Sequence, residues 1–258
     1  MSVFTAGARR RVQGLAGALA LVLLTGCASA PGADSRDPWE GYNRAMFRFN
    51  DAVDTAVLKP VATAYRDTLP QPVRTGVGNF FGNLSDVWSF VNNVLQVKPE
   101  GALHSFWRVV INSTMGLGGV LDPASEMRLE RHREDFGQTL GRWGMPSGPY
   151  FVLPLLGPST LRDSAALPVD VYGSPLGHFN DGAWRNSLGA LNVVQTRAGL
   201  LVTTEFLESA ALDRYSFQRD AYLQKRRNEV YDGNPPQHEE RYDLEEGAPD
   251  APASAPAR

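Results

Sequence analysis

The chain has 258 residues, with 25 lysines and arginines against 28 aspartates and glutamates and a formal net charge of -3. That balance supplies no basic surface, which argues against nucleic acid as a partner. The one cysteine, Cys27, rules out an internal disulfide framework.

The first elements in the chain surround that cysteine. Arg9, Arg10 and Arg11 precede an apolar run from Leu15 to Leu24, and small residues follow. This is the order of an export signal, and the run is only half of the roughly 20 residues that a membrane-spanning helix needs. Leu24, Thr25, Gly26 and Cys27 resemble the bacterial lipobox. The resemblance implies that residues 1–26 are cleaved and that Cys27 becomes the first mature residue, carrying diacylglycerol and an N-acyl chain. Ala28 is not the aspartate associated with retention at the inner membrane, which favours the outer membrane. One acyl chain anchors marginally and two or more durably, at about 0.8 kcal/mol per buried CH₂.

Removing residues 1–26 takes away three arginines and no acids, so 22 basic residues face 28 acidic ones in the mature chain. Residues 27–36 form a linker to the anchor. Residues 37–231 are expected to be one domain of amphipathic helices. From Asp232 the chain is acidic and proline-rich, with seven acids, two arginines and five prolines, and reads as a solvated tail over 232–258. No stretch after Cys27 approaches 18 unbroken apolar residues.

In "DPWEGYNRAMFRFND", Asp37 is expected to cap a helix with Pro38 in its first turn and Glu40 in the capping-box position. The helix should run to about Val53, with Tyr42, Ala45, Met46, Phe49 and Val53 as its apolar stripe. Pro60 and Pro99 read as further starts, and helices are expected over 60–68, 71–82, 85–96 and 99–114. Gly76, Gly78 and Gly82 lack both the spacing and the preceding strand of a dinucleotide loop, so they read as close packing and a turn. Within 99–114, His104, Arg108 and Asn112 share one face while Leu103, Phe106, Trp107, Val110 and Ile111 fill the rest. That pattern suits either a helix buried on most sides or one lying in lipid with its polar stripe toward protein or water.

"MGLGGVLD", Met115 to Asp122, should end the helix in a permissive hairpin; the lysine of a phosphate-binding loop is missing. Pro154 and the flanking Gly-Pro pairs make Tyr150 to Leu156 an irregular apolar segment that fills a core or marks a contact surface. Helices should follow from near Thr160, over 184–211 and over 213–230. The basic run Lys225, Arg226, Arg227 reads as a solvated face, and His132 in "RLERHRED" as a solvated turn.

With "LKPVATAYRDTLPQPVRTGVGNFFGNL", "FVNNVLQ", "MGLGGVLD", "DFGQTLGRWG" and "GPYFVLPLLGPSTLRD" following the first helix in one order, the chain resembles the MlaA/VacJ family of outer-membrane lipoproteins over about residues 36–172. The resemblance implies an all-α fold, a ring of amphipathic helices around a central channel, embedded in one leaflet. It implies removal of mislocalised phospholipids from the outer leaflet of the outer membrane, which maintains lipid asymmetry. The partners it implies are a trimeric outer-membrane porin and a periplasmic phospholipid carrier. Carried onto this chain, the mobile channel hairpin falls at Met115, Gly116, Leu117, Gly118, Gly119 and Val120. Phe47, Phe49 and Asn50 fall in the helix that regulates the channel, and Arg48 stands where other members carry a neutral residue.

The physics of the cargo agrees. Two acyl tails are costly to expose to water and a charged headgroup cannot cross hydrocarbon unpaired, so a conduit must be polar on one side and open to lipid on the other. Trp39, Trp88, Trp107, Trp143 and Trp184 suit interfacial depth. An anchored lipid hydrolase is the rival reading, but no G-x-S-x-G elbow is present and Ser147 has the wrong spacing. His104, His132, His178 and His238 show no zinc-binding pairing, so neither metal nor catalytic chemistry is expected. A purely structural scaffold for a porin is the second rival, and it would have no use for a gate.

Overall fold

The computed structural model describes residues 34–210 and 212–236; Cys27, the export segment and the tail beyond 236 lie outside the described residues. The described residues open with α1 (Glu40–Val53), which passes through a π-helical turn (Asp54–Leu58) into α2 (Lys59–Thr68) without a break. Pro60 therefore does not start a new helix. Its ring would collide with the carbonyl of Ala56 in a regular helix. The widened turn just before it, closed by the Lys59 N–H to the Asp54 carbonyl, relieves that crowding.

The two helices expected over 71–82 and 85–96 are one, α3 (Gln71–Leu95). Its glycines mark close approach instead of a turn: a Cβ on Gly82 would sit 2.5 Å from the Arg131 guanidinium, and one on Gly76 3.0 Å from Val120. Helix α4 (Pro99–Thr114) starts at its proline as expected. Two short helices follow, α5 (Pro123–Glu126) capped by Asp122 and α6 (Phe136–Arg142) capped by Asp135.

The segment expected to be irregular is an antiparallel hairpin of β1 (Tyr150–Leu153) and β2 (Gly157–Thr160), pairing Tyr150 with Thr160 and Leu153 with Gly157. Pro154 sits in its turn and Pro158 in a two-stranded sheet that is all edge, so neither proline breaks a central ladder. Thr160 then caps α7 (Leu161–Gly173) through the Asp163 N–H. A 3-10 turn (Pro175–His178), the long α8 (Gly182–Ala210) and α9 (Arg214–Val230), capped by Asp213, complete the described chain. Among the described residues the fold is all-α apart from this one hairpin.

What distinguishes the packing is its polarity. Among the described residues, eleven of the twelve largest fully buried side chains are polar or charged, and the twelfth is Tyr150. Helices α3 and α4 lie together with their polar stripes inward: Asn83, Asp86, Ser89, Asn92 and Asn93 on one, Ser105, Arg108 and Asn112 on the other are all buried. Their outward faces carry Val87, Val91, Val94, Leu103, Phe106 and Trp107, all exposed. This decides between the two sequence readings of α4: the stripe faces protein and the apolar arc faces out. Apolar clusters exist but are small, one of Tyr150, Val152 and Tyr215, another of Ala62, Ala198 and Leu201. Among the described residues no helix is long and apolar enough to cross a membrane.

Arg108 stands at the centre of the polar interior with all three guanidinium nitrogens hydrogen-bonded. Nε reaches Asp86 at 3.1 Å, Nη1 reaches Ser125 at 3.1 Å and the Leu129 carbonyl at 2.7 Å, and Nη2 spans both Asp122 oxygens at 3.0 and 2.9 Å. Arg131 lies 3.1 Å from the same Asp86. Burial pushes the Asp86 carboxyl up, against the pull of Arg131 and Arg108. Burial also opposes ionisation of Asp122, but hydrogen bonds from Ser125, Asn112 and Arg108 outweigh it and hold that carboxyl at about 2.

The network sets a test. Replacing Arg108 by methionine leaves Asp86 and Asp122 to share Arg131 and should lower unfolding stability by about 3–5 kcal/mol. Adding Asp86→Asn removes the carboxylate in excess of the remaining Arg131 and should restore part of the loss. Chemical denaturation of the two variants in detergent reads both effects.

Candidate functional site

A cavity of about 550 Å³ lies among α1, the β-hairpin, α8 and α9. Its lining is amphipathic. Phe47, Val152, Leu200 and Phe217 contribute apolar surface, and Asp51, Asp54, Arg197, Arg214 and Lys225 contribute charge. Asp51 and Asp54 are placed three residues apart where α1 runs into the π turn, so both face the later helices. Arg197 of α8 grips Asp54 through Nε and Nη2, each at 2.8 Å, and donates to Thr204 at 2.9 Å. Arg214, in the first turn of α9, donates to Asp51 at 2.8 Å. Its guanidinium lies 5.9 Å from the centre of the Phe47 ring, an arrangement that pairs charge with an aromatic face.

The hairpin wall of the cavity is held by α1. Asn43 and Asn50 are seven residues apart, two helical turns, and so share a face. Asn43 donates to the Tyr150 carbonyl at 3.1 Å and accepts from the Val152 N–H at 2.8 Å. Asn50 does the same one step along, donating to the Leu153 carbonyl at 2.9 Å and accepting from the Leu155 N–H at 2.7 Å. The two amides thus satisfy the free edge of β1 as a neighbouring strand would. Leu155 itself takes a left-handed φ of 64° at the hairpin tip.

Asp37, expected as a helix cap, instead makes no cap bond to α1. It is buried, accepting from Asn43 at 2.7 Å, from the Tyr215 hydroxyl and from Arg219 at 3.4 Å. Burial, with the bond to Asp37, pushes the Tyr215 phenol well above its ordinary range and keeps it a donor. Arg226, expected on a solvated face, is also buried, with Nη1 and Nη2 both 2.6 Å from Asp135 and Nε 2.9 Å from Asp163. Only its neighbour Lys225 is largely exposed. These aspartates and arginines tie the last helix to the start of the chain and to α6 and α7, closing the cavity from behind.

The sequence-predicted site residues fall in two places. Phe47 and Asn50 line the cavity. Phe49 does not; it is 46% exposed on the outer side of α1. Met115 to Val120 lie elsewhere, packed on α3, and none of them lines this cavity. The Gly118 N–H donates to the Ser113 carbonyl at 3.1 Å and the Gly119 N–H to the Asn112 carbonyl at 2.8 Å, while Asn79 donates to the Val120 carbonyl at 3.1 Å. A Cβ on Gly119 would meet Asn83 at 2.7 Å and one on Gly116 the Asn112 carbonyl at 2.4 Å. Gly118, at φ 71°, has open space around it. The turn is therefore anchored at its base and free only at its tip, where Met115 and Leu117 protrude, 63% and 73% exposed.

Sequence reasoning missed Asp51, Asp54, Arg197 and Arg214. The aspartates follow directly on the apolar stripe of α1, a visible signal, but nothing local tells that their partners come more than 140 residues later. His132, read as a solvated turn, is half-buried with its Nε2 3.1 Å from Nδ1 of His104.

Comparison with known proteins supplies a frame for this geometry. The family model described as MlaA lipoprotein matches residues 35–229. The intermembrane phospholipid transport system lipoprotein MlaA of Escherichia coli is 40% identical over 219 residues, covering 81% of this chain and 84% of that one. Its namesake from Haemophilus influenzae is 34% identical, covering 83% and 89%. A structure solved in work on the structural basis for maintenance of bacterial outer membrane lipid asymmetry superposes with a TM-score of 0.67. It is 35% identical and covers 77% of this chain and 99% of its own.

The asparagine pair yields a graded expectation. Asn50→Ala should cost about 0.5–1.5 kcal/mol by removing its bonds to the Leu153 carbonyl and the Leu155 N–H. It should also speed hydrogen exchange at the Leu155 amide while leaving the Val152 amide, held by Asn43, protected. Mass-spectrometric exchange on the purified variant measures both.

Proposed function

The chain belongs to the MlaA lipoprotein family, and from that premise we propose that it moves phospholipid out of the outer leaflet of the outer membrane, preserving the membrane's lipid asymmetry. The observation that carries this reading is the inverted distribution of polarity: charged and amide side chains packed inside, aromatic and aliphatic ones outside. A protein dissolved in water has no use for an exterior such as Phe106, Trp107, Trp143 and Trp184, all exposed, beside an interior built around Arg108. Lipid is the medium that rewards it. With no spanning helix among the described residues, such a body is suited to lie within one leaflet, tethered through an acylated Cys27 as the lipobox implies.

The amphipathic cavity supports a route for the cargo. Its apolar lining accommodates tails, and its ion pairs accommodate a headgroup without stripping it of charge partners. Ala221 and Lys225 of α9 border both this cavity and a second, polar groove of about 540 Å³ that includes His132, Glu134, Asn228 and Asp232. The polar groove suits the aqueous side, where a soluble periplasmic carrier would receive the lipid. The exposed apolar faces of the other helices suit a trimeric porin and surrounding lipid. The roles given to Phe47 and Asn50 fit this scheme as wall and hairpin support. Met115, Leu117 and Val120, protruding from an anchored turn, suit contact with acyl chains at the rim of the passage.

Blocking the cavity tests the proposal. Leu200 lines it while remaining half-exposed, so Leu200→Trp fills space without opening the interior. A strain carrying only this variant, at normal protein level, should become sensitive to detergent with EDTA. Resistance equal to that of the parent strain would count against passage through this cavity.

A further inference from the structure

We infer that the turn joining α3 to α4 inserts into the acyl-chain region of the membrane with Val97 at its tip, an anchoring point separate from the acyl chains on Cys27; this rests on the reading above that the apolar exterior lies in lipid. Val97 takes a left-handed φ of 57°, a conformation in which a β-branched residue is an outlier. Its side chain is also 85% exposed. With so little of it packed, the fold gains almost nothing from a valine that glycine or asparagine could replace with less strain. Helices α5 and α9 are likewise followed by a left-handed residue, but theirs are polar, Arg128 and Asp232.

The backbone beneath Val97 needs no water. A helix leaves its last four carbonyls without helical partners, and side chains or solvent have to supply them. At the end of α3 all four are answered from within the protein. The Asn92 carbonyl accepts from the Gln96 N–H at 2.9 Å, that of Asn93 from Lys98 at 2.9 Å and that of Val94 from Val97 at 3.0 Å. The Leu95 carbonyl accepts from the Trp143 indole at 3.1 Å. Charge is withdrawn as well, since the Lys98 side chain is 13% exposed and its ammonium pairs with Glu134 at 3.0 Å and with Asp232. A turn closed in this way strands few polar groups when it enters hydrocarbon.

The surroundings say what covers the tip. Val94, Leu95, Trp143 and Met145 are exposed around it, and Val87 and Val91 carry the same apolar face back along α3. The turn therefore prolongs, over the end of the helix, the face already assigned to lipid. Leucine and valine are under-represented among the residues that hold protein partners together, whereas aliphatic side chains beside a tryptophan fit the boundary between hydrocarbon and headgroups. Glu100 and Arg142, exposed close to Val97 and Trp143 in the chain, keep the insertion shallow by holding their charges among the headgroups.

The one cysteine of the chain is Cys27, whose sulfur the lipid occupies, so Val97→Cys gives the mature lipoprotein a single reactive thiol at a site with room for a nitroxide. The labelled full-length protein is reconstituted into phospholipid vesicles. Relaxation of the nitroxide by oxygen, which concentrates in hydrocarbon, is compared with relaxation by a water-soluble nickel chelate. Leu103→Cys, on the exposed face of α4, and Asn228→Cys, in the polar groove, are labelled in the same way. Oxygen should dominate at 97 and 103 with loss of the nickel effect, and the order should reverse at 228. Nickel dominance at 97 with oxygen dominance at 103 overturns the inference and leaves the lipid reading intact. Nickel dominance at both positions overturns both. A label at 97 that neither reagent reaches is covered by protein, which also overturns the inference.

Discussion

The structure depends on one guanidinium. Arg108 is enclosed by two aspartates, a serine and a backbone carbonyl that between them engage all three of its nitrogens. Burying a charge is tolerable only when it is paired and fully hydrogen-bonded. Meeting that condition fixes the angle of α4 on α3, the position of α5 under its Asp122 cap and the path of the 127–134 segment, because each supplies one partner. Once the polar stripes of α3 and α4 are committed to one another, their apolar faces have nowhere to go but outward. The inverted exterior is thus a consequence of the interior.

The same logic repeats at smaller scale around the chain. Asp37 gathers Asn43, Tyr215 and Arg219, Arg226 gathers Asp135 and Asp163, and Asn43 and Asn50 stand in for a missing strand beside β1. In a water-soluble protein, tertiary structure is driven chiefly by apolar burial. Here the apolar clusters are small, and directional bonds define the geometry. That division explains how a cavity can persist among α1, α8 and α9: its walls are pinned by polar bridges that do not require the space between them to be filled.

Much of the fold could be read from the sequence, because helix starts carry local chemistry. Pro99 at the head of α4 and the Thr160 start of α7 stood where expected. Asp37 misled for a physical reason: an aspartate before a proline has the features of a cap, but its real partners, Tyr215 and Arg219, come some 180 residues later. Gly82 was half legible: the close packing expected there is made by Arg131, but the turn expected with it is absent because the helix runs on to Leu95. Of the site, Phe47 and Asn50 were reached through family resemblance and do line the cavity, whereas Phe49 and the Met115 to Val120 turn lie outside it. The charged wall was not legible at all, since Asp51 with Arg214 and Asp54 with Arg197 are pairings between helices distant in sequence. The polar stripe of α4 was legible, but its direction was not: the stripe alone cannot tell water from protein from lipid.

The central claim is that the exposed apolar faces of this chain lie in hydrocarbon, and tryptophan depth measures it most directly. Variants keeping a single tryptophan, Trp107, Trp143 or Trp88, are reconstituted into bilayers with phospholipids brominated along the acyl chain. Trp107 and Trp143 are about half exposed, whereas Trp88 is partly buried and bonded to Asp170 at 2.8 Å. The account predicts strong quenching of Trp107 and Trp143 and little of Trp88. Fluorescence from Trp107 and Trp143 that no bromine position quenches, while aqueous iodide does, would contradict it.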